Sequence, residues 1–150
     1  MTVKKTSDAI ETFRRYLKLH NHNITETRDR IVKEIFMMNY HFEVADLWKR
    51  LHGETQISSS TVYRTLDLLV EAGLVKMVDL GEAHAHYEHI FGRRDHDHLV
   101  CTDCGKVIEF PATAINDEIE KTAAEKEFTI SSHSIQIYGS CRNCAAKNKK

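Results

Sequence analysis

Apolar residues recur at helical spacing through the first half of the chain. Ile10, Phe13 and Leu17 fall on one face of a first predicted helix, and either Ser7 or Asp8 would cap its start. Polar residues occupy the other face, as expected for an amphipathic helix that packs on a shared core. The same criterion predicts three further helices.

Thr25 would cap the second helix, and a third runs from about residue 43 to 52, where Gly53 ends it. A fourth begins at one of the serines 58–60 and ends near Gly73. It is predicted to bury Val62, Leu66, Leu69 and Val70 and to expose Ser60, Tyr63, Arg64, Asp67 and Glu71.

Two strand-like runs follow the fourth helix, residues 74–80 and 85–90, joined through Gly81 and Glu82. Helices followed by a hairpin give the element order of a winged helix-turn-helix. We therefore predict such a domain over residues 1–90, followed by a hinge over residues 91–94.

The pattern changes beyond the predicted hinge. Strands are expected at 98–101, 106–110 and 131–138, and a helix at 112–127. Residues 95–150 are thus predicted to form a small α/β domain. A domain of this length usually needs a stabilising cross-link, such as a bound metal ion, or a partner chain. The predicted fold class is a mixed α/β (α+β) chain of two domains.

Charge limits how the protein could bind a polyanion. The net charge is −1, from 21 Lys and Arg against 22 Asp and Glu, which counts against a protein that binds nucleic acid by bulk charge alone. Any such binding must rest on a local arrangement of basic groups or on charge added by an ion. The ten histidines in 150 residues are the first indication of metal.

The four cysteines form two Cys-x-x-Cys pairs, Cys101 with Cys104 and Cys141 with Cys144. Four thiolates aimed at one point give the closed tetrahedral site of structural Zn²⁺. Free or redox cysteines are the alternative, and the presence of two pairs makes it the weaker one. A site with four protein ligands has no open position, which indicates a role in folding and not in catalysis.

His96 and His98 lie two residues apart on a predicted strand, so both imidazoles face the same side. Such a pair can hold Fe²⁺, Mn²⁺, Co²⁺ or Zn²⁺, and a polar surface strand is the alternative. Spacing alone assigns no role to any other histidine or carboxylate.

Several stretches of the chain together form a recognisable pattern. They are Tyr40-His41, Ala45–Leu51, Ser60–Leu66, Glu71–Val75, His96–Phe110 with its Cys-x-x-Cys-Gly turn, and Tyr138–Cys144. With these residues the chain resembles the ferric uptake regulator (Fur) family over nearly its whole length.

The resemblance implies a winged-helix domain, a dimerisation domain and a regulatory metal site between them. The implied ligands of the regulatory metal are His41, Glu88, His96, His98 and Glu109. An additional site in some members would use Asp97 and His133, although Asn116 stands where that site has a carboxylate. The implied DNA-binding residues are Arg28, Ser60, Thr61, Tyr63 and Arg64.

The implied function is a metal-responsive repressor that binds a palindromic A·T-rich operator as a homodimer. Glu88 and Glu109 favour an iron sensor, because peroxide sensors of the family (PerR-like) usually have aspartates there. Fe²⁺ would be the regulatory ion, with Mn²⁺, Co²⁺ or Zn²⁺ as substitutes, and Zn²⁺ the structural one. A peroxide sensor is the alternative within the family.

Two other function classes fit the sequence less well. A metalloenzyme would leave the helix-turn-helix unexplained, and no residue stands out as a nucleophile or base, so we expect no enzyme. A zinc-stapled protein-interaction module would need a more apolar docking face than Ser60, Tyr63 and Arg64 provide. Because no signal peptide or membrane span is evident, we expect a cytoplasmic protein with no membrane partner.

Overall fold

The computed structural model divides the chain into two compact units, Met1–Arg93 and Arg94–Lys150. The residues it describes are 2–38, 41–52, 57–79, 81, 85–93, 96–111, 113–131 and 133–147. Among the described helices, none has both the length and the apolar character that crossing a bilayer requires.

The described residues of the first unit form four helices and a three-stranded sheet. Its elements are α1 (Thr2–Leu19), α2 (Glu26–Met37), β1 (His41–Glu43), α3 (Val44–His52), α4 (Ser59–Glu71), β2 (Val75–Val78) and β3 (His86–His89). The sheet order is β1-β3-β2, with both pairings antiparallel, so β3 is the middle strand.

One hydrophobic core joins all four helices of this unit to the sheet. The helices contribute side chains with no exposed surface, among them Phe13, Ile35, Leu47 and Leu66. Burial of several large apolar side chains at one centre is the main stabilising term for a domain of this size.

The second unit is smaller and less well buried. Its elements are β4 (Asp97–Cys101), β5 (Val107–Phe110), α5 (Thr113–Glu125), β6 (Gln136–Gly139) and α6 (Arg142–Lys147). The sheet order is β5-β4-β6, with β4 antiparallel to β5 and parallel to β6. No residue of α5 is buried, so this helix has no core of its own within the chain.

Two of the predicted helix caps are confirmed. The Thr25 hydroxyl accepts a hydrogen bond from the backbone N–H of Arg28, and Ser58 caps α4 by accepting from Thr61 N–H. The predicted cap of α1 at Ser7 or Asp8 is wrong, because that helix already begins at Thr2. No glycine or proline interrupts residues 2–8, so nothing in the local sequence ends the helix there.

The predicted buried face of α4 needs one correction. Val62, Leu66 and Leu69 are buried as expected, whereas Val70 is 39% exposed and Leu68 is buried in its place. The spacing of apolar residues did not distinguish Leu68 from Val70, because each lies at an edge of the apolar face of α4.

Two short elements were not predicted. Strand β1 has only three residues, and its pairing with β3 bridges more than 40 positions, so no local pattern reveals it. Helix α6 at residues Arg142–Lys147 has only six residues and was likewise not predicted. The expected helix end at Gly53 and the turn residue Glu82 lie outside the described part of the chain.

Leu69 is buried and its neighbour Val70 is exposed, and this difference allows a direct test of the core. We expect Leu69→Ala to lower the free energy of unfolding of the first unit by about 2–5 kcal/mol, because it opens a cavity. Val70→Ala, the matched control one residue away, should cost less than about 1 kcal/mol. Urea unfolding followed by fluorescence of Trp48, the single tryptophan, measures both. Equal losses would place Val70 in the core after all.

Candidate metal centres and nucleic-acid interface

The pairing of β4 with β6 brings the two Cys-x-x-Cys pairs together. Cys101 is the last residue of β4, and the parallel register sets it opposite Gly139, two residues before Cys141. A turn at Gly105, whose φ of 69° suits glycine, folds Cys104 back towards the strand. Cys144 lies in α6, on the first helical turn after Cys141.

All four sulfurs lie within 4.8 Å of one another, and none forms a disulfide. The Sγ atoms of Cys104 and Cys141 are 3.8 Å apart. A tetrahedral ion with bonds of about 2.3 Å to sulfur sets its ligands about 3.8 Å apart. The cluster therefore fits a tetrahedral metal ion.

The thiols differ in how readily they ionise. The backbone N–H of Cys141 donates to Cys101 Sγ at 3.2 Å, and this hydrogen bond lowers the pKa of Cys101 to about 6. Hydrogen bonding to Cys141 raises the pKa of Cys144 to about 12. Four thiolates this close repel one another, and a divalent cation would offset that repulsion.

A second set of metal-type ligands lies at the other end of β4. His98 is buried and pairs in register with Glu109 on β5. His96 lies one residue before the strand, with its ring 5.2 Å from that of His98 and its Nε2 3.8 Å from Glu109 Oε1. Two imidazoles and a carboxylate are thus brought together within the second unit.

A matching pair lies in the first unit, on the sheet. His41 on β1 is in register with Glu88 on β3, and its Nε2 is 3.8 Å from Glu88 Oε2. That separation exceeds hydrogen-bond length and leaves room for an ion between the two atoms. Glu88 has no exposed surface, so its charge must be balanced by partners inside the protein.

Two cations that sequence reasoning missed balance the charge on Glu88. Arg93 Nη1 donates to Glu88 Oε1 at 2.5 Å, and Lys76 Nζ on β2 lies 3.6 Å from Oε2. The register of β2 with β3 sets Lys76 directly opposite Glu88. The sequence alone gives no signal that links Lys76 or Arg93 to this carboxylate, because the first link depends on strand register and the second on the fold of the chain after β3.

Asp97 and His133, the residues of the additional metal site, have other partners. Asp97 Oδ1 accepts from the backbone N–H of Ile135 at 2.9 Å. His133 Nε2 lies 3.0 Å from Asn116 Oδ1. Asp97 therefore joins β4 to the segment before β6, and the additional site stays a prediction.

The exposed face of α4 presents the residues expected to contact DNA. Ser60, Tyr63 and Arg64 are exposed, with Tyr63 at 52%. Thr61 is half-buried, and its hydroxyl lies 2.8 Å from that of Ser58 at the helix cap. Thr61 therefore stabilises the start of α4, and so does Ser60, whose hydroxyl lies 3.0 Å from that of Ser58. Tyr63 and Arg64 are the exposed members of the set outside this cap.

Arg28 and Arg64 line one depression in the first unit. It lies where the N-termini of α2 and α4 approach each other. Its walls are formed by Asn23, Thr25, Thr27, Arg28, Ile57, Ser58, Thr61, Arg64 and Thr65. Helix N-termini carry partial positive charge and free N–H groups, so such a place favours an anion such as phosphate.

Comparison with known proteins identifies the family. The model of the ferric uptake regulator family matches residues 20–138. This chain belongs to the ferric uptake regulator family. The resemblance inferred from the sequence motifs is confirmed, and so is the expectation of no enzyme, because the relatives are named as regulators.

Two curated relatives of the Fur-family chain are similar along nearly its whole length. The ferric uptake regulation protein of Campylobacter upsaliensis is 32% identical over 143 residues, 93% of this chain and 91% of the relative. The peroxide operon regulator of Bacillus subtilis (strain 168) is 34% identical over 149 residues, 98% of each. Identity therefore does not separate the iron-regulator and peroxide-regulator subfamilies.

A solved structure supports the predicted fold class. The ferric uptake regulator from Pseudomonas aeruginosa with manganese superposes with a TM-score of 0.72 at 26% identity, covering 84% of this chain and 95% of that one. The mixed α and β fold class predicted from the sequence is confirmed.

The hydrogen bond of Asp97 gives a test of its role. Asp97→Ala removes the acceptor for Ile135 N–H and should speed amide exchange around residues 133–137, at a cost of about 1–3 kcal/mol. Asp97→Asn retains an acceptor oxygen and should preserve most of the protection. Hydrogen exchange followed by mass spectrometry measures both. Equal loss in the two variants would show that the negative charge is required, as for a metal ligand.

Proposed function

We propose that this protein is a metal-dependent, DNA-binding transcription regulator that acts as a homodimer and responds to iron. The observation that carries the proposal is that imidazole and carboxylate ligands are gathered in both units. His41 with Glu88 forms one set, and His96 and His98 with Glu109 form the other. A regulator of DNA acts where the DNA is, so the proposal places the protein in the cytoplasm.

The five ligands of the regulatory ion are proposed to come from both sets. A bound divalent ion would supply a positive centre shared by carboxylates and imidazoles, a donor mixture that suits Fe²⁺. His41 and Glu88 belong to the DNA-binding unit, and the other three belong to the second unit. Residues that bind one ion from both units restrict how the units move, so the restriction favours one arrangement of the dimer.

The thiol cluster is proposed to hold structural Zn²⁺. Cys101 and Cys104 belong to β4 and its turn, whereas Cys141 and Cys144 belong to the last part of the described chain. Binding one ion would fasten α6 to the sheet of a unit with few buried apolar residues. The support is the spacing of the sulfurs and their tetrahedral fit.

Dimerisation is proposed to use the second unit. Ile108, Leu99 and Ile137 are register partners across the three strands, and they are 41%, 38% and 44% exposed. Helix α5 of the same unit also has no buried residue. A second copy of the unit would cover both surfaces, and a two-fold dimer then presents two α4 helices to a palindrome.

DNA binding is proposed to combine α4 with the depression beside it. Arg64 and Tyr63 would meet base edges and thymine methyl groups in the major groove. Arg28 and the N-termini of α2 and α4 would hold a backbone phosphate. This local arrangement supplies the positive charge that the nearly neutral composition lacks.

Iron is favoured over peroxide as the signal because residues 88 and 109 are glutamates. The similarity to the Bacillus subtilis peroxide operon regulator keeps a peroxide sensor as the second candidate. Exposure of the Fe²⁺-loaded protein to dilute hydrogen peroxide separates the two, because only a peroxide sensor should lose DNA binding through oxidation of its own metal ligands.

The switch itself is tested by fluorescence anisotropy of an A·T-rich palindromic duplex. Zinc-loaded protein without other metal should bind weakly, and Mn²⁺, an air-stable substitute for Fe²⁺, should strengthen binding in a salt-sensitive way. His96→Ala should abolish the metal dependence and leave the zinc content unchanged. Equal binding with and without Mn²⁺ would remove the sensor function from the proposal.

Arg64→Ala tests the reading face of α4 separately from the switch. We expect DNA binding of the Mn²⁺-loaded protein to weaken about tenfold or more, with Mn²⁺ uptake unchanged. Arg15→Ala, at an exposed arginine of α1, is the matched control and should bind normally. If the two variants weaken binding equally, α4 is not the recognition helix.

Cys144→Ser tests the structural zinc. The wild-type protein should carry about one tightly held Zn²⁺ per chain, and the variant should lose it together with the ordered structure of the second unit. Mass spectrometry of the metal content and circular dichroism measure the two effects. Retention of zinc in this variant would reject the four-thiolate site.

A further inference from the structure

We propose that Lys76 and Arg93 tune the metal affinity of Glu88 in opposite directions, an inference that rests on the proposed function of Glu88 as a ligand. Lys76 is a displaceable counter-ion that stands in for the metal in the metal-free protein. Arg93 is a positioning residue that keeps the carboxylate aimed at His41 whether or not metal is bound.

The sheet register places Glu88 between a metal-type ligand and a competing cation. His41 on β1 and Lys76 on β2 are both register partners of Glu88 on the middle strand β3. Directly opposed side chains lie on the same face of a sheet, so imidazole, carboxylate and ammonium form one row.

The two carboxylate oxygens of Glu88 have different partners. Oε2 faces both His41 Nε2, at 3.8 Å, and Lys76 Nζ, at 3.6 Å. Oε1 accepts the hydrogen bond from Arg93 Nη1 at 2.5 Å. An ion shared by His41 and Glu88 would use Oε2, and it would therefore compete with Lys76 and not with Arg93.

Exposure separates the two cations further. The side chain of Lys76 is 33% exposed, that of Arg93 is 13% exposed, and that of Glu88 has no exposed surface. The ammonium of Lys76 sits on a flexible stem and can rotate into water when a divalent ion repels it. The less exposed guanidinium of Arg93 has less freedom, and its charge-assisted hydrogen bond fixes the plane of the carboxylate.

These differences set the sign of each effect. A buried carboxylate requires a compensating charge in the absence of metal, and Lys76 contributes to it. Metal binding must then replace an existing ion pair, which weakens the apparent affinity. Arg93 acts as an outer partner that orients a ligand, and the loss of such partners lowers metal affinity.

The experiment compares Lys76→Gln with Arg93→Gln in the full-length, zinc-loaded protein. Mn²⁺ affinity is measured by competition with a fluorescent chelator. We expect Lys76→Gln to tighten Mn²⁺ binding about two- to fivefold, the range of a partly exposed ion pair. We expect Arg93→Gln to weaken it about tenfold. Shifts in the same direction, or no shift in either variant, would overturn the inference.

Two controls isolate the role of Glu88. Lys49→Gln breaks the surface ion pair with Asp46, which has the same 3.6 Å length as the pair of Lys76 with Glu88, and should leave Mn²⁺ affinity unchanged. In a Glu88→Gln background, the Lys76 and Arg93 substitutions should no longer change affinity. Persistence of either effect there would show that it does not act through this carboxylate.

A spectroscopic readout distinguishes positioning from general destabilisation. The visible absorption of bound Co²⁺ should keep its wild-type shape in Lys76→Gln and change in Arg93→Gln, because only the second variant frees the carboxylate to rotate. Thermal unfolding of each metal-free variant verifies that it is folded. An unchanged Co²⁺ spectrum in folded Arg93→Gln would overturn the positioning role.

The outcomes also separate this inference from the proposed function. Wild-type protein that takes up Mn²⁺ and then binds DNA, with neither variant shifted, would overturn the inference alone. Wild-type protein that takes up no Mn²⁺ beyond its zinc content would overturn both.

Discussion

A carboxylate without exposed surface must find its compensating charge inside the protein, and this constraint organises the sheet of the first unit. Glu88 lies on the middle strand, so its neighbours come from both flanking strands and from the segment that ends the unit. These neighbours are His41 on β1, Lys76 on β2 and Arg93 after β3. The same carboxylate that must be neutralised is therefore surrounded by both a metal-type ligand and protein cations. If Glu88 binds metal as proposed, these protein cations would balance its charge before the ion arrives.

The second unit meets a different constraint, since it has little apolar surface to bury. Val100 and Cys101 are its buried apolar residues among those described, and α5 buries none. Hydrophobic burial within one copy is therefore a weak source of stability for it. Four sulfurs gathered at the junction of β4 and α6, and an apolar row left exposed across the strands, indicate where the remaining stability would come from. Metal and partner would then be parts of the fold of this unit.

The features that could be predicted from the sequence are those set by neighbours along the chain. The caps at Thr25 and Ser58 depend on a hydroxyl three residues before an N–H group, and the Cys-x-x-Cys pairs depend on one turn each. Motif resemblance added His41, Glu88 and Glu109, which spacing alone did not single out. Strand β1, the exchange of Leu68 for Val70, and the cations on Glu88 were not predicted, because each depends on register or packing between distant segments. Residues that tune a site are thus harder to predict than those that form it.

In a metal-dependent regulator, metal binding and DNA binding are thermodynamically linked. This linkage limits how Lys76 and Arg93 could change the response. If metal raises DNA affinity by some factor, DNA raises metal affinity by the same factor. A residue that competes with metal only in the free protein shifts the metal concentration at which the switch operates. Under the proposed function it would leave the DNA affinity of the metal-saturated dimer unchanged, because Lys76 would by then have left Glu88. Arg64 and the depression beside α4 would instead set the DNA affinity of the metal-saturated dimer, if they contact DNA as proposed. In the proposed arrangement, the metal concentration that triggers DNA binding and the strength of that binding would be set by different side chains, so that either could change without the other.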